Sequence, residues 1–205
     1  MTDVYGAGLF PQHQAMLAAS KITPEQARTR GYRSIDGNNR KVLAEIGIVK
    51  AARTDGLLIP LLRLDGSTGG YQHRPDNPRV KDGREIKYET PYRQSNMIDF
   101  PPGVAERLAD RSMPIWITEG VKKADAGFCA GLAIVGLTGV WNWLRDGAAL
   151  PDFRDLALRD RETILCFDSD FAVKPEVWKA VRDLGEWLKV SRSAKVSYCC
   201  LPEEA

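Results

Sequence analysis

The spacing of apolar and polar residues changes character along the chain. From Met113 onward short apolar runs alternate with amphipathic stretches. "PIWIT" reads as a strand, residues 120–131 as a helix, "AIVG" and "TILCF" as strands, residues 174–190 as a helix and "KVSYCCL" as a last strand. The segment "PDFRDLAL" is expected to supply a crossover helix ahead of "TILCF". Apolar strands separated by helices predict a parallel sheet covered on both faces.

The earlier part follows other rules. Residues 1–54 read as helical. In "KITPEQARTRGY", Thr23 is an N-cap, Pro24 takes the first helical position, Gln26 completes a capping box and Gly31 supplies the stop. A second short helix is expected over residues 38–46. From Gly56, "GLLIPLLRLDGSTGGYQHRPDNP" has the form of a β-hairpin turning at residues 65–70. Residues 79–93 are rich in charge, Pro and Gly and read as loop, with a strand at "EIKYE". Pro101 and Pro102 mark a boundary, followed by a helix over residues 103–110. The expected organisation is therefore a helical and β-hairpin subdomain over 1–110, mixed α+β with a basic groove, and an α/β domain over 111–205.

Composition narrows the function classes. With 205 residues, 43% of them apolar, the chain can bury an ordinary core, and a net charge of +2 means that a nucleic-acid surface must be local. Residues 1–110 carry 16 basic against 13 acidic side chains, and 111–205 carry 13 against 14. Cys129, Cys166, Cys199 and Cys200 form no CxxC pair and lie far in sequence from His13 and His73, so no structural zinc site is expected. Cys166, Cys199 and Cys200 read as buried free thiols. The two histidines have no partner spacing and are assigned no chemistry. No apolar stretch is long enough to span a bilayer, and a soluble, cytoplasmic protein is expected.

The candidate chemistry lies at two strand ends. Glu119 follows "PIWIT", and Asp168 and Asp170 follow "TILCF". In an open parallel sheet, ligands bind outside the carboxyl ends of the strands. If these two strands are neighbours, as in a 2-1-3-4 order, their backbones lie about 4.8 Å apart. Asp168 and Asp170 project to one side by the period of two, so three carboxylates converge. At about 5 Å and an effective dielectric near 20, each like-charge pair repels by roughly 3 kcal/mol. Such a cluster holds a proton or a cation. Mg²⁺ or Mn²⁺ bound there suits phosphoryl transfer, since paired ions stabilise both the attacking and the leaving oxygen. A P-loop ATPase is excluded because no G-x-x-x-x-G-K-[ST] occurs, and a receiver-type phosphoacceptor site fits poorly with one Glu at the first strand end.

These motifs resemble a known family. The strand-Glu-Gly motif paired with a later strand-Asp-x-Asp is similar to the TOPRIM domain of DnaG-type primases, topoisomerases and related nucleases. "GLLIPLLRLDGSTGGYQHRPD" followed by "KYETP" resembles the stretch before TOPRIM in bacterial primases, and "GLTGV" resembles their loop after the second strand. From about Gly56 the chain looks most like the uncharacterised TOPRIM-like domain of phage and plasmid replication proteins, often fused to a helicase. The resemblance implies that Glu119, Asp168 and Asp170 are catalytic and bind the metal. It matches Arg74, Lys87 and Tyr88 to primase residues lining a basic groove. Lys122 and Lys123, near the start of the helix after Glu119, are placed to meet phosphate with free backbone amides. Arg79 belongs to the same basic segment, in which Tyr71, Tyr88 and Tyr92 are interleaved, a composition suited to single-stranded DNA or incoming nucleotides.

There are departures from the family pattern. Lys123 stands where primases have an acid in "EGYMD", with Asp125 two residues later, and no N-terminal zinc module is present. The further acidic loop that follows the fourth strand in primases has only Glu203 and Glu204 as weak substitutes. Trp141 and Trp143 read as core or edge packing, with base stacking as the alternative. The leading expectation is a metal-dependent nucleotidyltransferase making primers on single-stranded DNA from nucleoside triphosphates in phage or plasmid replication, alongside a fused or separate helicase. A TOPRIM-type nuclease and a non-catalytic DNA-binding module of a helicase-primase remain the alternatives.

Overall fold

A computed structural model describes residues 8–167 and 174–200. The chain forms two compact units, one comprising Met1–Leu62 with Ser67–Ser95, the other Arg63–Gly66 with Asn96–Ala205.

In the first unit, helices α1 (Pro11–Ala19) and α2 (Pro24–Arg30) precede strand β1 (Arg33–Ile35) and helix α3 (Lys41–Glu45). The ends of α2 follow the sequence logic. The Thr23 side chain accepts from the Gln26 amide at 3.2 Å, and Gly31 closes the helix in a left-handed conformation, φ 82°. Strand β1 was not expected in this segment. It forms because β2 (Gly56–Leu62) offers an edge, pairing Arg33 with Leu58 and Ile35 with Gly56, which buries Ile35 beside Leu43, Ile48 and Leu58.

Strand β2 continues into β3 (Thr68–Pro75) as the antiparallel hairpin the sequence predicts. Pro60 is tolerated within β2 because β1 ends opposite Leu58, so no neighbour on that side needs its missing amide. The buried Arg30 instead donates to the Pro60 carbonyl at 3.1 Å. Beyond the hairpin, the strand expected at "EIKYE" gives way to a short ribbon of β4 (Val80–Lys81) and β5 (Arg84–Glu85), with Glu89 bridging to His73.

His13, which has no partner spacing in the sequence, is fully buried and hydrogen-bonded. Its Nδ1 lies 2.6 Å from Ser34 Oγ, its Nε2 2.7 Å from Asp76 Oδ1, and Ser34 Oγ also accepts from the Phe10 amide at 2.8 Å. This chain ties α1 to β1 and to the residue after β3. Its members are 21 and 63 residues from His13 in sequence, which is why spacing could not reveal them.

The second unit opens with β6 (Ile98–Asp99) and α4 (Val104–Ala109), then β7 (Ile115–Glu119), α5 (Val121–Cys129) and β8 (Ala133–Leu137). A small ribbon of β9 (Leu144–Arg145) and β10 (Ala148–Ala149) follows, then β11 (Glu162–Phe167), α6 (Pro175–Arg192) and β12 (Lys195–Cys200). Among the described residues the sheet order is β12-β11-β7-β8-β6. The four strands read from the sequence are all parallel, and their order is 2-1-3-4, which meets the condition for Glu119 and the end of β11 to share a rim.

An unexpected antiparallel strand, β6, completes the far edge by pairing Ile98 with Leu137 and Asp99 with Gly136. Of the three boundaries between the units, the last lies between Ser95 and Asn96, ahead of residue 110, because β6 pairs with β8 of this sheet and α4 packs on its core. Val104 and Leu108 of α4 join its core.

"PDFRDLAL" forms a single 3-10 turn, Pro151–Asp155, rather than a crossover helix. Phe153, Leu156 and Leu158 are all buried, a two-residue periodicity in "LAL" that matches an extended chain laid over the core. Helix α6 buries Ala180, Val181, Leu184, Gly185 and Leu188 on one stripe. It approaches β12 so closely that a Cβ on Gly185 would sit 2.3 Å from Tyr198 Oη. Cys129, Cys166 and Cys199 are free thiols, half-buried rather than buried.

Candidate metal centre and basic cleft

Glu119 is the last residue of β7 and half-buried. The register pairs Thr118 with Cys166 of β11 and Glu119 with Leu137 of β8. Carried one residue further, it sets Phe167, the end of β11, beside Glu119, so β7 and β11 finish on one rim as neighbours. Asp168 and Asp170 lie outside the described residues. Among the described residues, no group of three His, Cys, Asp or Glu side chains is arranged to hold a metal ion.

The turn after Glu119 depends on Gly120. With φ 92° and ψ 141° it occupies a region essentially restricted to glycine, its amide donates to the Leu137 carbonyl at 2.7 Å, and its carbonyl accepts from Ala124 at 3.2 Å as α5 begins. The first turn of α5 contains Lys122 and Lys123 and no acid. This arrangement adds positive charge to the positive end of the helix dipole and favours an anion there. Gly136, opposite Thr118 in β8, lets α5 settle on the sheet, since a Cβ there would lie 3.2 Å from the Ala124 Cβ.

Two buried acids also lie in this unit, Asp99 on β6 and Asp125 on α5, both fully enclosed. Asp99 drew no notice in the sequence, because a lone Asp before "FPP" reads as a turn former. Of the two tryptophans in the loop after β8, Trp143 is in the core. Trp141 is 42% exposed, with the Lys179 ammonium 5.4 Å over its ring.

In the first unit the structure brings Arg74, Lys87 and Tyr88 together. Arg74 Nη1 donates to Tyr88 Oη at 3.1 Å, with its guanidinium carbon 5.5 Å from the ring centroid. Arg74 and Lys87 line a cleft of about 400 Å³ with Gln12, Asp76 and Glu85. Arg79 is differently placed. Its Nε and Nη2 donate to the two oxygens of the buried Glu89 at 2.5 and 3.0 Å, a bidentate pair that fixes this segment and raises the guanidinium pKa further. His73, fully enclosed, has its pKa pushed down by burial, against the opposing pull of Glu89 and Asp76.

Comparison with known proteins places these geometries in context. Residues 106–205 match a family model described as a domain of unknown function, DUF3854. An uncharacterised protein of Picosynechococcus sp. is 37% identical over 86 residues, covering 36% of this chain and 8% of its own length. Among solved structures, the Aquifex aeolicus primase, with its zinc-binding and RNA polymerase domains, superposes at TM-score 0.67 and 17% identity. The match covers 96% of this chain and 51% of that one, so this chain spans about half the length of the solved Aquifex chain. A DnaG primase catalytic domain bound to single-stranded DNA superposes at TM-score 0.57 and 16% identity, covering 95% and 67%. The chain has the fold of a primase catalytic core.

Proposed function

We propose that this protein is a metal-dependent nucleotidyltransferase of the primase type, with a TOPRIM-like metal centre, extending primers on single-stranded DNA in phage or plasmid replication beside a helicase. The observation that carries this reading is the parallel pairing of β7 with β11, which ends both strands at the rim holding Glu119. Asp168 is the next residue in the chain after Phe167, and Asp170 follows two further on.

A set of carboxylate oxygens fits Mg²⁺ or Mn²⁺, and Glu119, Asp168 and Asp170 would hold it. When bound, the cation would neutralise charge on a triphosphate and acidify a primer 3′ hydroxyl. The remaining chemistry belongs to the chain itself. Lys122, Lys123 and the first amides of α5 stabilise phosphate charge that grows during transfer. Gly120 turns the chain directly after Glu119 in a backbone conformation, φ 92° and ψ 141°, that an L-residue rarely adopts. Arg74, Lys87 and Tyr88 bind template or nucleotide, the cations through phosphate and the ring by stacking, while Arg79 positions this segment through Glu89.

The test is labelled primer synthesis on single-stranded DNA with Mg²⁺ or Mn²⁺, together with Mn²⁺ titration calorimetry. Wild type is expected to synthesise and to bind Mn²⁺. Asp168→Ala is expected to abolish synthesis, and Glu119→Gln to weaken Mn²⁺ binding at least tenfold. Binding of Mn²⁺ that is indifferent to Glu119→Gln would remove the metal centre, and cleavage of DNA in the absence of nucleotides would replace synthesis by hydrolysis.

A further inference from the structure

The sheet unit has a second charged feature at the edge opposite Glu119. Arg111 precedes β7, Arg159 precedes β11, and Arg192 ends α6 just before β12, so all three lie at the amino ends of parallel strands. Strand β11 alone is six residues long, which separates the two edges by about 20 Å. The three arginines surround a cleft of about 290 Å³, with Ser191 at its side and the buried Leu156 and Leu158 beneath.

The backbone of the cleft holds two of these guanidiniums in place. Arg111 Nη2 donates to the Arg159 carbonyl at 2.7 Å, and Arg192 Nη2 donates to the Leu156 carbonyl at 3.3 Å. A guanidinium has five N–H donors, so each retains others for a ligand. Among the described residues, no carboxylate lies within ion-pair distance of Arg111, Arg159 or Arg192. The nearby Asp110 is held by the Ser112 amide and hydroxyl at 2.9 and 2.7 Å and keeps its charge, which acts on Arg161. A fourth guanidinium, the buried Arg161, acts electrostatically on Arg111 and donates to four backbone carbonyls; among the described residues it has no carboxylate within ion-pair distance.

We propose that this cleft is a second anion site that takes the phosphodiester backbone of a nucleic acid. Planar guanidinium forks held by the protein's own carbonyls match paired phosphate oxygens, and fixing them in advance lowers the entropy lost on binding. A strand reaching both edges of the sheet would be anchored about 20 Å from the carboxylate rim. The choice of nucleic acid over another polyanion rests on the nucleotidyltransferase reading, whereas the anion site stands on the arginines alone.

The test measures binding of a labelled thymidine oligonucleotide by fluorescence anisotropy in EDTA, where the metal centre contributes nothing. Among the described residues the Arg159 side chain makes no hydrogen bond, so Arg159→Glu and Arg159→Ala leave the loop carbonyls in place. Arg159→Glu is expected to weaken binding about tenfold and to lower the log–log salt slope by about 1. Lys41→Glu, an equal charge change on α3, is expected to change affinity less than about twofold. Wild-type affinity in both Arg159 variants overturns the site, and so does absence of DNA binding by the wild type. Displacement by polyglutamate at equal charge concentration overturns nucleic acid in favour of an acidic peptide. Arg159-sensitive binding without primer synthesis would sink only the nucleotidyltransferase reading, and synthesis with Arg159-indifferent binding would sink only this one.

Discussion

Substituting Gly120 by alanine isolates the backbone conformation on which the proposed metal centre depends. A Cβ at this position meets nothing within 4 Å, so no clash contributes and the whole effect comes from φ 92° and ψ 141°. Holding an L-residue in that region costs about 1–3 kcal/mol, a loss of roughly 5- to 150-fold in the folding equilibrium. At about 4 °C per kcal/mol for a unit of this size, the melting temperature falls by roughly 4–12 °C. All five tryptophans lie at or after Trp116, so urea unfolding followed by indole fluorescence reports the second unit selectively. Gly147, in the turn between β9 and β10, also has a positive φ of 77° and open space around a Cβ. Gly147→Ala is expected to lose comparable stability yet keep Mn²⁺ affinity, whereas Gly120→Ala loses both as Glu119 and the start of α5 shift. The reasoning fails if Gly120→Ala unfolds within about 0.5 kcal/mol of wild type, or if its Mn²⁺ affinity falls no further than that of Gly147→Ala.

Arg161 is 3% exposed and donates to the carbonyls of Met113, Leu108, Arg107 and Asp110 at 2.8, 2.6, 3.3 and 2.6 Å, which satisfies the C-terminal end of α4. Arg161→Met is expected to cost about 3–5 kcal/mol in urea unfolding, and a loss below about 1 kcal/mol would show those carbonyls to be satisfied by water instead. In the first unit, burial sets the His73 pKa below its unfolded value near 6.5, so on acidification the unfolded chain takes up the proton first. Stability is therefore full above about pH 6.5 and is lost as pH falls toward the folded pKa. Hydrogen exchange at the β2 and β3 amides is expected to show weaker protection at pH 5.5 than at 7.5, after correction for intrinsic rates, and a smaller difference in His73→Gln. Equal or stronger protection at the lower pH would contradict this.

Local pattern alone was enough to read β7, α5, β8, β11, α6 and β12, because each is an apolar run or stripe whose period depends only on neighbouring residues. The same pattern left the adjacency of β7 and β11 as a condition for a shared rim, and the parallel pairing of the two strands supplies it. Pairing decisions made by distant segments could not be read in this way. Strand β1 exists because β2 presents an edge, and β6 because β8 does, and two or three residues have no period to display. Arg79 and Arg74 look alike in a basic tract, yet one is bound to the buried Glu89 and the other turns to Tyr88 and a cleft. Nor does any motif announce Arg111, Arg159 and Arg192, which stand far apart in sequence and meet because three parallel strands begin at one edge. The sequence by itself determined the strand-and-helix alternation and the acids that follow its strands, since these depend on local periodicity. Which charges are paired, buried or left facing a cleft was decided by the tertiary structure, because ion pairing and desolvation are set by distances in space that sequence separation does not encode.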